Sequence, residues 1–508
     1  MADSTQQKSV EELVRRVLSE ITDNGTTNGH ASKAAVNEST TTLAAFPRQS
    51  IIQNRLGLRP TAERDGLSLF SEMDQAIDAC RIAQRRWLDI SLEQRLRVVA
   101  NIRFHALAQA ERIGRMAVTE TGMGKMPDKM NKIILCANKT PGPEDLHPVA
   151  YSGDRGLTLV EPAPWGVMGI ITPSTNPAAT VLNNSISAIS AGNGAVFCPH
   201  PMAKGVSAEM AKLVHDAITE AGGPENLIVC LISPTIETAQ TLMKHRKIDL
   251  ILVTGGGAVV KQAMTCGKRA ICAGPGNPPV LVDETAILSQ AGRDIVVGAS
   301  FDNNVLCTDE KEIFVVDKVA HKLKHEMVAN GAYELVGANI DKLMKILIES
   351  DLEKSGYRHV QVNRKFIGKS PEEILKQIDV VPPPGTKLVF FESAWDHPMV
   401  MAEQLMPVIP FVRVKTVEEG MEKAVVAEHN YKHTFVMHST SIVNLSNMSQ
   451  LCRSNIFVKN GSNMAGLGFG GEGYASMSIA GTTGEGITKA STFTRPRRCT
   501  LVDYFRII

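Results

Sequence analysis

Between residues 167 and 253 the chain repeats one pattern, in which a short apolar run gives way to a stretch of helical periodicity and then to another apolar run. The runs fall at 167–172, 195–198, 227–231 and 250–253, and the stretches between them at 178–191, 206–221 and 236–245. A strand that is apolar on both faces needs cover on both faces, and crossover helices supply it, so this stretch predicts a mostly parallel sheet between two helical layers. Further apolar runs at 388–391 and 408–414 predict a second α/β unit. Ahead of these, the spacing of Ala76, Ile77, Ala79, Ala83 and Trp87, then of Leu96, Val99, Ile102 and Leu107, predicts an opening helical layer. The ending TLVDYFRII, 500–508, reads as a terminal strand whose partner lies elsewhere, a second subunit being one place for it.

With 508 residues there is room for about three domains or two large ones. Fifty-four Lys and Arg nearly cancel 53 Asp and Glu, so no net field favours nucleic acid, and no apolar run reaches the roughly 18 residues needed to span a bilayer. Nine cysteines, odd in number and without a CxxC pair, argue for reduced thiols and against a metal site. The first 21 residues lack the layout of a secretory signal. Instead Val10, Leu13, Val14, Val17, Leu18 and Ile21 form one apolar stripe of a short helix, followed at 22–42 by a Thr-, Asn-, Ser- and Gly-rich stretch that reads as a tether. Such a helix either docks back on its own chain or is presented to another protein.

Gly255, Gly256 and Gly257 stand where strand 250–253 hands over to a helix starting near Ala258. A tight turn needs glycine there, and so does a phosphate cradle at a helix N-terminus; both readings stand. Gly466, Gly468 and Gly471 satisfy G-x-G-x-x-G literally, but no helix-forming run follows, so the segment reads as an irregular loop. Among the cysteines, Cys198 and Cys230 sit inside apolar strands as core residues. Cys307, in FDNNVLCTDE, has polar neighbours on both sides and is the candidate nucleophile.

Six ordered segments then converge: APWGV (163–167), TPSTNP (172–177), VTGG (253–256), AGPGNPP (273–279), GASFDNNVLC (298–307) and EQLMP (403–407). Together they resemble the aldehyde dehydrogenase superfamily, over about residues 68–508, and within it the CoA-acylating branch of bacterial microcompartments that acts on propionaldehyde or acetaldehyde. The resemblance implies an α/β fold with a Rossmann-like cofactor domain (68–145 and 163–272), a catalytic α/β domain (273–485) and a small β oligomerisation arm (146–162 and 486–508). Residues 1–21 then resemble an encapsulation peptide, with contacts to a shell protein through 9–21, and 22–67 a flexible linker. A dimer or tetramer in the bacterial cytoplasm, inside a microcompartment, is expected.

By the same resemblance, Cys307 is the thiolate that adds to the aldehyde carbonyl, and the Asn176 side chain, with the Cys307 backbone N–H, donates to the developing oxyanion. Asn176 is also readable as a plain turn residue beside Pro177. Thr172, Pro173, His200, Pro201, Thr254, Gly255 and Gly256 match the cofactor positions, and Glu403 the acid that holds the nicotinamide ribose, against its reading as an ordinary solvated carboxylate. His200 stands where the family's lysine usually grips the adenosine ribose. Ala273, 34 residues before Cys307, stands where hydrolytic members carry the glutamate that activates water. Alanine takes no proton, so the acyl group on Cys307 waits for a thiol, which the resemblance names as CoA, with NAD taking the hydride. Propionaldehyde is the first choice of substrate and acetaldehyde the alternative; a hydrolytic aldehyde dehydrogenase and a catalytically silent scaffold are the rivals. Thr308, Ser462, Asn463 and Met464 are candidates to line the aldehyde pocket.

Overall fold

The computed structural model describes residues 68–354 and 357–506. The expected N-terminal helix and linker, 1–67, lie outside the described residues. Three helices open the described chain: α1 (Met73–Leu88), α2 (Leu92–Thr121) and α3 (Asp128–Lys139). Helix α2 starts where the Ser91 side chain accepts the Gln94 N–H and stops at Gly122, which takes the left-handed conformation (φ 65°) that a helix end favours.

Two parallel sheets follow, and they bear out the α/β reading. The first has six strands in the order Leu69–Phe70, Ile228–Leu231, Gly194–Pro199, Val167–Thr172, Leu250–Thr254, Ala270–Ala273. After Val167–Thr172 the chain winds outward in one direction, then returns to the other side of that strand with Leu250–Thr254. Such a reversal opens a crevice beyond the carboxyl ends of the two strands, which here carry Thr172 and Pro173 on one and Thr254 to Gly256 on the other. Helix α4 (Pro177–Ser190) leaves from that crevice with all its residues buried, packed between the first sheet and α2, α3 and Lys204–Glu220.

The second sheet has seven strands in the order Ala332–Glu334, Leu388–Glu392, Val408–Val414, Glu312–Val316, Pro279–Val282, Thr434–His438, Ile456–Lys459. Residues 274–278 carry the chain from the end of the first sheet into the start of the second. Almost every strand residue of both sheets is buried, which explains why their sequence is continuously apolar rather than alternating.

The third sheet, of three antiparallel strands, corrects the bounds expected for the terminal strand. The terminal strand is Thr494–Val502, and its partner is Gly156–Pro164 of the same chain, with Val149–Gly153 on the far side. The strand opens on TRPRR, where proline and charge mask any strand pattern. Pro496 stands opposite Pro162 in the open part of this sheet, where a missing N–H costs little.

Candidate functional site

Cys307 lies on the loop that enters strand Glu312–Val316, and the backbone there is bent hard. Asp302, Asn303 and Asn304 all have positive φ (47°, 55° and 63°). Each is tied down by its side chain. Asn304 Nδ2 donates to the carbonyls of Ala299 (2.7 Å) and Glu310 (2.9 Å), Asn303 Nδ2 donates to the Gly368 carbonyl, and Asp302 accepts from Lys129 and Lys132. Lys311 Nζ closes the loop from below, donating to Asn304 Oδ1 (2.7 Å) and to the Leu306 carbonyl (2.8 Å).

Cys307 is half-buried, and burial, with the charges of Glu403 and then Asp309 adding to it against Lys311, pushes its thiol up to about 12. The thiol at rest is therefore protonated at pH 7. Against its carbonyl lies Gly276, from the connecting segment between the sheets: a Cβ on Gly276 would stand 2.5 Å from the Cys307 carbonyl oxygen and 3.0 Å from the His433 ring. The Gly276 N–H donates to Glu403 Oε1 (3.1 Å). Glu403 is held in place rather than freely solvated, and burial raises its pKa. His433 is buried, its Nδ1 beside Thr434 Oγ1 (2.9 Å) and its Nε2 without a partner among the described residues; burial, and then the charge of Lys311, pushes its pKa down to about 4, so the ring is neutral at pH 7. Cys307, Glu403, His433, Lys311 and Gly276 thus gather at the amino ends of the second sheet's strands.

Asn176 takes the N-cap position of α4 without making a cap bond. Its Oδ1 accepts from Lys132 Nζ (2.5 Å), and Lys132 also pairs with Asp302, five residues before Cys307. At the crevice, Thr254 Oγ1 is bonded to Ser478 Oγ (2.7 Å), the Gly255 N–H donates to the Ala273 carbonyl (3.1 Å), and Gly256 is the N-cap of helix Gly257–Met264 with no side chain capping it. His200 and Pro201 are exposed; the His200 Nδ1 accepts from the Met202 N–H (3.2 Å), a capping role. Ala273 is buried at the end of its strand beside Thr254. Of the candidate lining residues, Asn463 is fully buried and donates to Asp309 Oδ1 (2.9 Å) and Thr308 Oγ1 (3.4 Å), Met464 is buried, and Ser462 is half-buried.

Sequence reasoning missed Lys132, Asp302, Lys311 and His433. The lysines of α3 look like a solvated face, and the run Asp309–Glu310–Lys311–Glu312 looks like surface, yet Lys132 is 1% exposed and all four of the run are fully buried. A charged run separated by one residue from a candidate nucleophile and leading into an apolar strand was the available signal.

A family model described as the aldehyde dehydrogenase family matches residues 69–473. The chain is 46% identical over 451 residues to the acetylating acetaldehyde dehydrogenase EutE of Salmonella typhimurium, covering 89% of this chain and 96% of that one. Among solved structures, a propionaldehyde dehydrogenase from the fucose-utilisation microcompartment of Clostridium phytofermentans is 40% identical with a TM-score of 0.84, covering 87% of this chain and all of that one. A propionaldehyde dehydrogenase of Rhodopseudomonas palustris, with CoA bound and a cysteine acylated, is 44% identical with a TM-score of 0.82, covering 86% and 98%.

Proposed function

The chain belongs to the aldehyde dehydrogenase family, and from that premise we propose that it oxidises a short-chain aldehyde to the acyl-CoA, with NAD as hydride acceptor and CoA as acyl acceptor. The observation that carries the acylating reading is Ala273. It is buried where hydrolytic members hold their water-activating glutamate, so nothing at that position can prepare water to attack the acyl group.

The residues present fit the two co-substrates. Among the described residues, Gly256 and Gly257 have open space where a Cβ would project, the helix N-terminus they form has no side-chain cap, and the buried Thr172 hydroxyl has no partner, which together make a cradle for phosphate and ribose. Thr172, Pro173, Thr254, Gly255, Gly256, His200, Pro201 and Glu403 would hold the dinucleotide. When bound, NAD supplies the hydride acceptor and CoA the thiol that takes the acyl group.

The chain's own residues do the rest. Cys307 adds to the carbonyl carbon as its S–H proton departs to solvent. Asn176 Nδ2 and the Cys307 N–H donate to the carbonyl oxygen as it gains charge. Loss of hydride leaves a thioester on Cys307, and transfer to an incoming thiol regenerates the cysteine.

Propionaldehyde is the first choice, supported by the two structural relatives; acetaldehyde is the second reading, favoured by the 46% identity to an acetaldehyde enzyme. Location in the bacterial cytoplasm within a microcompartment, with residues 9–21 contacting a shell protein, is supported by the microcompartment relative and the apolar stripe of 10–21. Among the described residues, no helix is long and apolar enough to cross a membrane. A homo-oligomer, dimer or tetramer, is supported by the third sheet, whose outer strands carry exposed Val149, Tyr151, Leu501 and Val502.

The deciding test is NADH formation from C2, C3 and C4 aldehydes with and without CoA. Turnover that requires CoA and disappears in Cys307→Ala is expected. Brisk release of free acid without CoA would overturn the acylating reading.

A further inference from the structure

The Asn176 amide has two ends, and only one can serve a developing oxyanion. Its orientation is fixed from outside the cleft. Lys132, 1% exposed on α3, places Nζ 2.5 Å from Asn176 Oδ1. An ammonium has donors only, so the atom facing it must be the oxygen, and Nδ2 must point the other way. There its sole partner among the described residues is the neighbouring Thr175 hydroxyl, at 3.2 Å, which leaves donor capacity for a substrate oxygen.

Lys132 is itself over-determined. Its second bond goes to Asp302 Oδ2, an oxygen that also pairs with Lys129 Nζ at 2.8 Å. Lys129 in turn donates to the Thr175 carbonyl at 2.5 Å, next to Asn176. The other oxygen of Asp302 accepts the Lys125 N–H, its own N–H donates to Asp128, and Gly124 packs so close that a Cβ there would overlap Asp302 Oδ1. Two lysines one helical turn apart therefore join the segment holding the oxyanion amide to the loop holding the nucleophile.

We propose that Lys132 is a positioning residue for aldehyde oxidation: it orients and polarises the Asn176 amide and sets its separation from Cys307 through Asp302. This rests on Asn176 acting as the oxyanion donor, so the experiment treats the two separately. Lys132→Met, Asn176→Ala and the double variant of the full chain are assayed for CoA-dependent NADH formation from propionaldehyde, and for the rate at which iodoacetamide alkylates Cys307, a reaction that needs no oxyanion donor.

In Asn176→Ala, kcat should fall about 10² to 10³-fold. Lys132→Met should lose about 10-fold to 10²-fold in kcat, with KM for the aldehyde and the alkylation rate within about threefold of the parent. In the Asn176→Ala background, the same lysine change should cost less than about threefold, because the amide it orients is gone. A kcat unchanged in Lys132→Met beside a collapsed Asn176→Ala would overturn the lysine's role alone. Losses that multiply in the double variant, or a Lys132→Met enzyme whose alkylation rate falls with kcat, would likewise reduce it to a packing role. An unchanged kcat in Asn176→Ala would overturn both. Should the methionine variant fail to fold, Lys132→Leu, which likewise offers Asn176 no donor, gives the same comparison.

Discussion

Gly276 has no room for a side chain. Its backbone lies against the Cys307 carbonyl and the His433 ring, while its N–H holds Glu403, so one residue sets the spacing of three. Gly276→Ala forces its neighbours apart by several tenths of an ångström or more, and a displacement of about 1 Å at a reacting centre costs on the order of 10² in rate. The expected outcome is a kcat loss of that order with the far-ultraviolet circular dichroism spectrum unchanged; a variant within about threefold of the parent would show that the turn yields freely. Part of this site was legible in the chain. Cys307 stood out by its polar flanks, and the resemblance carried Asn176, Glu403 and Ala273. Lys132 and Lys311 stayed hidden because a buried lysine is costly, and the carbonyls and carboxylates that offset its desolvation come from segments remote in sequence or from a turn whose geometry sequence does not display.

The nucleophile loop shows the same limit one level up. Strands Val167–Thr172, Gly194–Pro199 and Leu250–Thr254 were readable because continuous apolar character has one cheap solution, a sheet covered on both faces. Nothing in FDNN announces three successive left-handed residues. Asp and Asn tolerate that conformation best, yet each visit still costs about 1 to 2 kcal/mol, which side-chain bonds to Ala299, Glu310, Gly368 and the α3 lysines help offset. Asn304→Ala deletes two donated bonds and the Lys311 acceptor while keeping the strained backbone. It should lower stability by about 3 to 5 kcal/mol, read as a reduced urea midpoint with an unchanged slope. The terminal strand was read too far along the chain, at 500–508 rather than Thr494–Val502, for a related reason. A strand on an open sheet is defined by its partner, and TRPRR carries no pattern that names Gly156–Pro164.

Across the whole molecule, the buried charges around the second sheet give stability a direction with pH. Burial pushes Asp309 up to about 7, Glu310 up to about 8 and Glu428 up to about 7, and it raises Glu312 and Glu403 as well. The folded state therefore keeps protons that the unfolded chain gives up near pH 4, so the stability these acids contribute declines as pH rises towards their folded values. Burial acts oppositely on His433 and His438, both pushed down to about 4: the unfolded chain takes up protons below about 6.5 and the folded state does not, so stability also falls as pH drops from there. The five acids outweigh the two histidines, so stability declines overall as pH rises through this range, and the melting temperature should be higher at pH 6 than at pH 8. Glu310 isolates the effect, because its Oε1 accepts the Asn463 N–H at 3.0 Å while Oε2 has no partner among the described residues. Glu310→Gln keeps the accepting oxygen and removes the ionisation, so its melting temperature should decline less between pH 6 and pH 8 than that of the parent. Parallel curves for the two proteins, measured by scanning calorimetry, would mean that Glu310 is ionised in the folded state and that the alkaline decline arises elsewhere.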